Sequence, residues 1–151
     1  MGRVETVAHL DTPGPPEDLF AELQSLDGYQ EWLDIVDRVV PAEPDDGDPG
    51  PAWLVDLHAS IGPLRRSKRL RMTRDIHEAP NHVRYVRRET DGRRHSTWRL
   101  TAHVSRSEGG GSHLEMSLYY GGSLWVPMIE RLLRDEVERS RPRLLARLDG
   151  S

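Results

Sequence analysis

Apolar and polar residues alternate along seven segments of the chain, the pattern expected of β-strands with one buried face. The first two segments are Val4–Leu10 and Ile35–Val40, and the other five follow one another after residue 52. Those five strand candidates are Trp53–Ile61, Arg69–His77, Val83–Tyr85, Ser96–Val104 and Leu114–Tyr120.

A different spacing predicts helices at two places. After the break at Pro13–Pro16, the apolar residues Leu19, Phe20, Leu23 and Leu26 share one helical face, and Gly28 is a terminator. A second short helical piece is predicted at Tyr29–Leu33. The long C-terminal helix has an apolar stripe, and Pro142 within it should kink or split the helix. The stripe consists of Trp125, Ile129, Leu132, Leu133, Val137, Leu144, Leu145 and Leu148.

This order of elements predicts an α+β fold. The antiparallel strands have one apolar face that must be covered, and only the C-terminal helix is long enough to cover it. We therefore predict a curved antiparallel sheet of six to seven strands wrapped around that helix. Two short helices follow the first strand, and residues 1–151 form a single domain.

The net charge of −4 is unevenly distributed. Residues 1–50 contain 13 acidic and 2 basic residues, whereas residues 51–151 contain 12 acidic and 19 basic residues. Either the two halves neutralise each other in the folded chain, or the second half presents a basic face to an anionic partner. The acidic segment 41–52, rich in proline and glycine, is predicted to be a mobile loop.

Several kinds of site and partner are disfavoured by the sequence. The chain has no cysteine, no apolar run long enough for a membrane span and no visible signal peptide, so we expect a soluble cytoplasmic protein. Its seven histidines lack metal-ligand spacing, and no metal or cofactor is expected. Alternation places His58, His77 and His103 on the outer face. The basic stretch Arg65–Arg74 lacks interleaved exposed aromatic residues, which disfavours nucleic-acid binding.

The order of elements resembles the helix-grip fold of the START-like lipid-transfer, polyketide cyclase/dehydrase and birch-pollen-allergen (SRPBCC) superfamily. Two segments, Tyr29–Val36 and Gly62–Met72, are similar to local patterns of its bacterial cyclase/dehydrase-like members. The resemblance covers nearly the whole chain. It implies a cavity between sheet and helix for a hydrophobic ligand, without deciding between carrier and enzyme.

Hairpin pairing predicts which residues line that cavity. A two-residue turn at Asp91-Gly92, a tight turn at Pro80-Asn81 and the Gly-rich loop 108–112 set the register. One predicted layer is Ile76, Tyr85, Trp98 and Leu118; the other is Arg74, Arg87, Ser96 and Tyr120. The complete set of predicted ligand-binding residues is Trp53, Leu57, Met72, Arg74, Ile76, Tyr85, Arg87, Ser96, Trp98, Leu100, Met116, Leu118, Tyr120, Met128 and Leu132.

Two inward arginines cannot remain unpaired in a dry interior. One hypothesis is that Arg74 and Arg87 bind the carboxylate or enolate-like oxygen of an amphipathic ligand. The alternatives are that their charged ends reach water, that Glu89 or Asp37 pairs with them, or that a β-bulge turns one of them outward.

The predicted function is the binding of a lipid- or polyketide-like small molecule in this cavity. Two alternatives stay open: a cyclase/aromatase that catalyses aldol condensation and dehydration, and a non-catalytic protein-interaction module. The sequence identifies neither the ligand nor a catalytic residue, and it leaves the oligomeric state undetermined.

Overall fold

A computed structural model of the chain describes residues 2–61, 63–123 and 126–149, with the backbone alone for residues 59–61, 64 and 126. Within those ranges it contains seven strands, two α-helices and one 3-10 helix. In chain order these are β1 (Gly2–Thr12), α1 (Pro16–Leu23), the 3-10 helix (Leu26–Glu31), β2 (Val36–Pro41), β3 (Ala52–Ile61), β4 (Leu64–Glu78), β5 (His82–Arg87), β6 (Thr97–Arg106), β7 (Ser112–Gly122) and α2 (Val126–Asp149).

The strands form one antiparallel sheet in the order β1-β7-β6-β5-β4-β3-β2. β1 and β2 therefore lie at opposite edges, and the two short helices connect one edge to the other. α1 contacts β6 and β7, and α2 packs mainly against β1. The α+β fold class, the seven-stranded sheet, the short helices after β1 and the long C-terminal helix are all confirmed.

The predicted strand register is wrong by two residues in two hairpins. Tyr85 pairs with Leu100 rather than Trp98, and Trp98 pairs with Tyr120 rather than Leu118. Asp91-Gly92 does not form a two-residue turn, because β5 ends at Arg87 and β6 begins only at Thr97. Because side chains alternate with a period of two, a shift of two residues keeps each side chain on its predicted face but changes its neighbours.

The register across the β4–β5 hairpin is also wrong, for two reasons: Glu78 pairs with His82, so the turn has three residues rather than two, and β4 contains a bulge between Arg74 and Ile76. Arg74 pairs with Tyr85 rather than Arg87, and Ile76 pairs with Arg84 rather than Tyr85. The extra residue moves Ile76 to the outer face, where Arg84 binds Asp75. It also moves His77 to the inner face, where its ring stacks on Phe20 with centroids 5.8 Å apart. The prediction of an outward His77 is therefore wrong.

The acidic segment between β2 and β3 is held by more fixed contacts than a mobile loop would have. The two terminal guanidinium nitrogens of Arg71, Nη1 and Nη2, donate to the carboxylate of Asp48 at 2.8 and 2.7 Å. Arg71 also donates to the backbone carbonyl of Glu43, and Arg88 donates to Asp45 and Asp48. The Arg71 side chain is only 6% exposed, so this ion pair fixes the segment on the outer face of β4.

The helix α2 runs through Pro142 without a break, so the predicted split does not occur. The seven residues of α2 that follow Pro142 are held by their own tertiary contacts. Leu144 is buried, Arg143 binds Asp34 and Arg147 binds Glu22. Trp125, predicted to belong to the apolar stripe, lies outside the described residues, as does Gly62 in the segment that carries the resemblance.

Arg71→Met should lower the free energy of unfolding by about 2–4 kcal/mol, because it leaves the buried Asp48 carboxylate with Arg88 as its remaining cation. Arg69→Met is the matched control, since Arg69 pairs with Asp56 in solvent and exposed pairs contribute little. Urea denaturation measures both costs, and equal costs would contradict this role for Arg71.

Arg71 holds the pKa of Asp48 well below its usual range. The stabilisation is therefore present above about pH 4 and is lost as the pH falls.

Candidate functional site

An apolar cavity of about 160 Å³ lies between the inner face of the sheet and α2. Side chains from β1, the 3-10 helix, β2, β3, β4, β6, β7 and α2 line it. Leu57, Leu100, Met116 and Leu118 all face this space and all remain partly accessible. Such residues would be fully buried if α2 packed directly on them, so the helix covers the sheet without filling the space beneath it.

Polar contacts hold α2 above the sheet. Arg143 donates to the Asp34 carboxylate at 3.1 Å, and Arg147 donates to Glu22 at 3.0 Å. On the other side, Arg141 donates to the backbone carbonyl of His9 at 2.6 Å. These contacts join α2 both to the segment of short helices and to the edge strand β1. They hold the helix on both of its sides.

Glu136 places a carboxylate in the apolar lining. It is 4% exposed, and its Oε2 accepts a hydrogen bond from the backbone N–H of Asp34 at 2.9 Å. Its Oε1 lies 3.3 Å from the guanidinium of Arg139. Burial raises the pKa of Glu136, and the contacts with Arg139 and the Asp34 N–H oppose that rise.

The fifteen predicted site residues fall into two groups. Six line the cavity: Leu57, Met72, Trp98, Leu100, Met116 and Leu118. The other nine are not in its described lining: Trp53, Arg74, Ile76, Tyr85, Arg87, Ser96, Tyr120, Met128 and Leu132. On α2 the lining side chains are those of Leu133, Glu136, Val137, Ser140, Arg141 and Leu144. The helix therefore presents Leu133 to the cavity, rather than the neighbouring Leu132.

Arg74 and Tyr85 stabilise the C-terminal end of α1. The Tyr85 hydroxyl donates to the carbonyl of Leu23 at 2.6 Å, and the Tyr29 hydroxyl donates to the same oxygen at 2.8 Å. The Arg74 guanidinium donates to the carbonyl of Gln24 at 2.6 Å. Carbonyls at the end of a helix have no partners within it, and a cation there also complements the helix dipole. The predicted layers are therefore divided, with Arg74 and Tyr85 beside α1.

Arg87 lies farther along the sheet and pairs with Glu89, one of the partners that the sequence suggested. Its Nε donates to Glu89 at 2.6 Å, and its Nη1 donates to the hydroxyl of Ser96 at 3.0 Å. The Arg87 side chain is 6% exposed. Arg74 and Arg87 therefore belong to two separate clusters, and do not form one pair facing the same ligand oxygen.

Other predicted residues support the cavity from the surrounding core. The indole N–H of Trp53 donates to Asp27 at 3.0 Å, and its ring meets Tyr85 edge-on. Tyr120 is buried and packs against Trp98, with ring centroids 4.9 Å apart. Met128 is half-buried on α2.

Sequence reasoning missed some of the lining. The cavity includes Ala8 on β1, Trp32 after the 3-10 helix and Glu136 on α2. Ala8 was in the alternating pattern of the first strand, and Glu136 lies three residues after Leu133 on the apolar side. Both positions could therefore be found in the sequence pattern. The pattern did not show which face of the helix meets the sheet.

The indole N–H groups of Trp32 and Trp98 are buried without an acceptor in the described part of the chain. An unsatisfied buried donor costs about 1–3 kcal/mol. A ligand oxygen that reached either group would recover that cost.

Among the described residues, no group of three or more histidine or acidic side chains could hold a metal ion. No helix within the described ranges is long and apolar enough to cross a membrane.

Comparison with known proteins gives structural similarity without close sequence relatives. No protein-family model matches the chain, and no curated protein matches it. A START superfamily protein from Mycobacterium smegmatis is similar with a TM-score of 0.73 at 15% identity, covering 99% of both chains. The Zhui aromatase/cyclase from Streptomyces sp. R1128 is similar with a TM-score of 0.69 at 13% sequence identity, and the match covers 98% of this chain and 94% of that one. The structure of Ara h 8.0201 is similar with a TM-score of 0.66 at 12% sequence identity, and the match covers 99% of this chain and 100% of that one.

Identities this low establish the fold and carry no residue-level argument. The resemblance seen in the sequence is confirmed at that level. The chain has the helix-grip fold of the START-like and birch-pollen-allergen-like (SRPBCC) superfamily.

Proposed function

We propose that the chain binds a hydrophobic or amphipathic small molecule in the cavity beneath α2. The observation that carries this proposal is the cavity itself, because protein interiors normally leave few voids larger than a water molecule. An apolar cavity of about 150 Å³ is known to bind benzene, and this one measures about 160 Å³. The space therefore suits a ligand whose apolar body is about the size of one ring.

The lining favours binding by apolar contact. Leucine and methionine side chains from several strands converge on the space, and methionine adapts its shape to different ligands. Burying apolar ligand surface is worth roughly 25 cal/mol per Å². The polar anchors described for α2 join residues 136–147 to the rest of the chain, so a larger ligand would have to displace the helix against them.

Cyclase chemistry is the weaker alternative on this geometry. General acid–base catalysis needs a titratable group that reaches the substrate. In the described lining, the buried candidates are Glu136 and Tyr29. Both carboxylate oxygens of Glu136 already have partners, and the Tyr29 hydroxyl donates to the carbonyl of Leu23. Tyr85 hydrogen-bonds to the end of α1, and burial raises the pKa of its hydroxyl further above the physiological range. These contacts support a binding role over proton transfer.

Filling the cavity should abolish binding while the fold persists. Ala8 lines the cavity from β1, and its neighbour Val7 is 48% exposed. We expect Ala8→Phe to place a phenyl ring in the space and to eliminate binding of propylbenzene, whereas Val7→Phe adds the same ring outside and leaves binding intact. Isothermal titration calorimetry and the ligand-induced rise in Tm measure the difference. Unchanged binding by the Ala8→Phe variant would contradict the proposed site.

Glu136→Gln should remove a pH-dependent destabilisation. The pKa of Glu136 is raised in the folded state. Between its unfolded-state pKa of about 4.3 and its folded-state pKa, this carboxyl group therefore binds more protons in the native chain than in the unfolded chain. Its contribution to stability therefore falls as the pH rises from 4.3 through the folded-state pKa. The glutamine oxygen can still accept the hydrogen bond from the Asp34 N–H. We expect the stability of the variant, relative to the natural chain, to increase from pH 4 to pH 7. A constant difference in urea denaturation across that range would refute the assignment.

A further inference from the structure

The strand ladder is interrupted at one end of the sheet because β5 is short. β4 pairs with β5 only between Met72 and Glu78, although β4 begins at Leu64. β6, on the other side of β5, begins at Thr97. Beyond the end of β5, the described backbone therefore has no strand ladder between β4 and β6. We call the space between Lys68–Leu70 and Ser96–Trp98 the β4/β6 cleft.

The cleft adjoins the apolar cavity. Leu70 and Trp98 line the cavity, as does Leu57, which pairs with Lys68. Lys68 is two residues before Leu70 on the same strand. By the alternation of a strand, Lys68 therefore shares the inner face with these apolar residues. Ser96 stands in the same relation to Trp98, just before β6.

Polar side chains span the cleft. The ammonium of Lys68 donates to the Ser96 hydroxyl oxygen at 3.4 Å, and Nη1 of Arg87 donates to the same oxygen at 3.0 Å. Both contacts use lone pairs of that oxygen, so the O–H of Ser96 is still able to donate. The cleft therefore presents an ammonium group and a hydroxyl donor beside an apolar wall.

The charges in the cleft do not balance. The carboxylate of Glu89 accepts from Arg87 at 2.6 Å and from the backbone N–H of Arg71 at 3.1 Å. Lys68 has no carboxylate within 4.0 Å among the described residues. Partial desolvation, together with the positive charge of Arg87, lowers the pKa of Lys68, and the Glu89 carboxylate opposes that shift at longer range. One carboxylate thus faces two cations, and an anion placed beside Lys68 would balance the second positive charge.

We infer that the β4/β6 cleft binds the anionic end of the cavity ligand, with Lys68 as the pairing cation and the Ser96 hydroxyl as a second donor. The ligand class is then an amphipathic carboxylate, whose single charge matches Lys68, the cleft cation for which the described part of the chain supplies no ion-pair partner. Its apolar body would lie against Leu57, Leu70 and Trp98. This inference rests on the proposed function, since the apolar body occupies the same cavity.

Three probes with the same phenylpropyl body test this inference: propylbenzene, 3-phenylpropanamide and 3-phenylpropionate. Calorimetry at pH 7 and low salt gives the affinity of the intact chain for each. We expect the carboxylate to bind about tenfold more tightly than the amide, the size of effect expected of a charge-assisted hydrogen bond. Lys68→Gln should abolish this preference and leave the affinity for the amide unchanged.

Arg69→Gln is the matched control, because it makes the same change in net charge at the adjacent residue on the outer face. It should keep the tenfold preference, as should Lys68→Arg. Ser96→Ala should reduce the preference and provides a second test that leaves the lysine in place.

The outcomes separate the inference from the proposed function. If the neutral probes bind and the carboxylate gains no preference from Lys68, the inference is overturned and the proposed function stands. An equal loss of preference in the Arg69→Gln variant also overturns the inference, since long-range charge would then explain the effect. If none of the three probes binds the natural chain, the proposed function itself fails.

Discussion

The attachment of α2 to the rest of the molecule determines whether the cavity exists. The inner face of the sheet is apolar and has to be covered, and α2 covers it. The helix is held by polar contacts at its sides (Asp34 with Arg143, Glu22 with Arg147, and the His9 carbonyl with Arg141) and by the buried apolar side chains of Ile129, Leu133 and Leu144. These contacts nevertheless leave apolar side chains of the sheet beneath the helix partly accessible.

The uneven charge of the two halves of the chain has a structural explanation in the same contacts. Acidic residues of the first half bind arginines of the second half both at α2 and at the outer face of β4, where Asp48 meets Arg71. Arg88 binds Asp45 and Asp48, and its backbone N–H donates to the carbonyl of Arg71. The same group of contacts therefore holds both the acidic segment and the residue that follows β5 against β4.

The sequence predicts elements better than it predicts registers, for a physical reason. Alternation identifies the buried face of each strand, which is why Leu57, Met72 and Trp98 are correctly placed on the inner face. The register depends on where each turn closes, and the signal at Asp91-Gly92 does not set it, because β5 ends at Arg87 and β6 begins only at Thr97. The bulge in β4 leaves no mark in the pattern, so the placement of Ile76 and His77 failed. The role of Arg74 was hidden because its partner is a backbone carbonyl.

The central claim is that an apolar space exists under α2, and xenon tests it most directly, because xenon enters apolar cavities without needing hydrogen bonds. Diffraction from crystals pressurised with xenon should show an ordered atom among Leu100, Met116, Leu118 and Leu133. If no xenon is found beneath α2 and these side chains are packed against the helix, the space is filled, and the account of the cavity and its ligand is wrong.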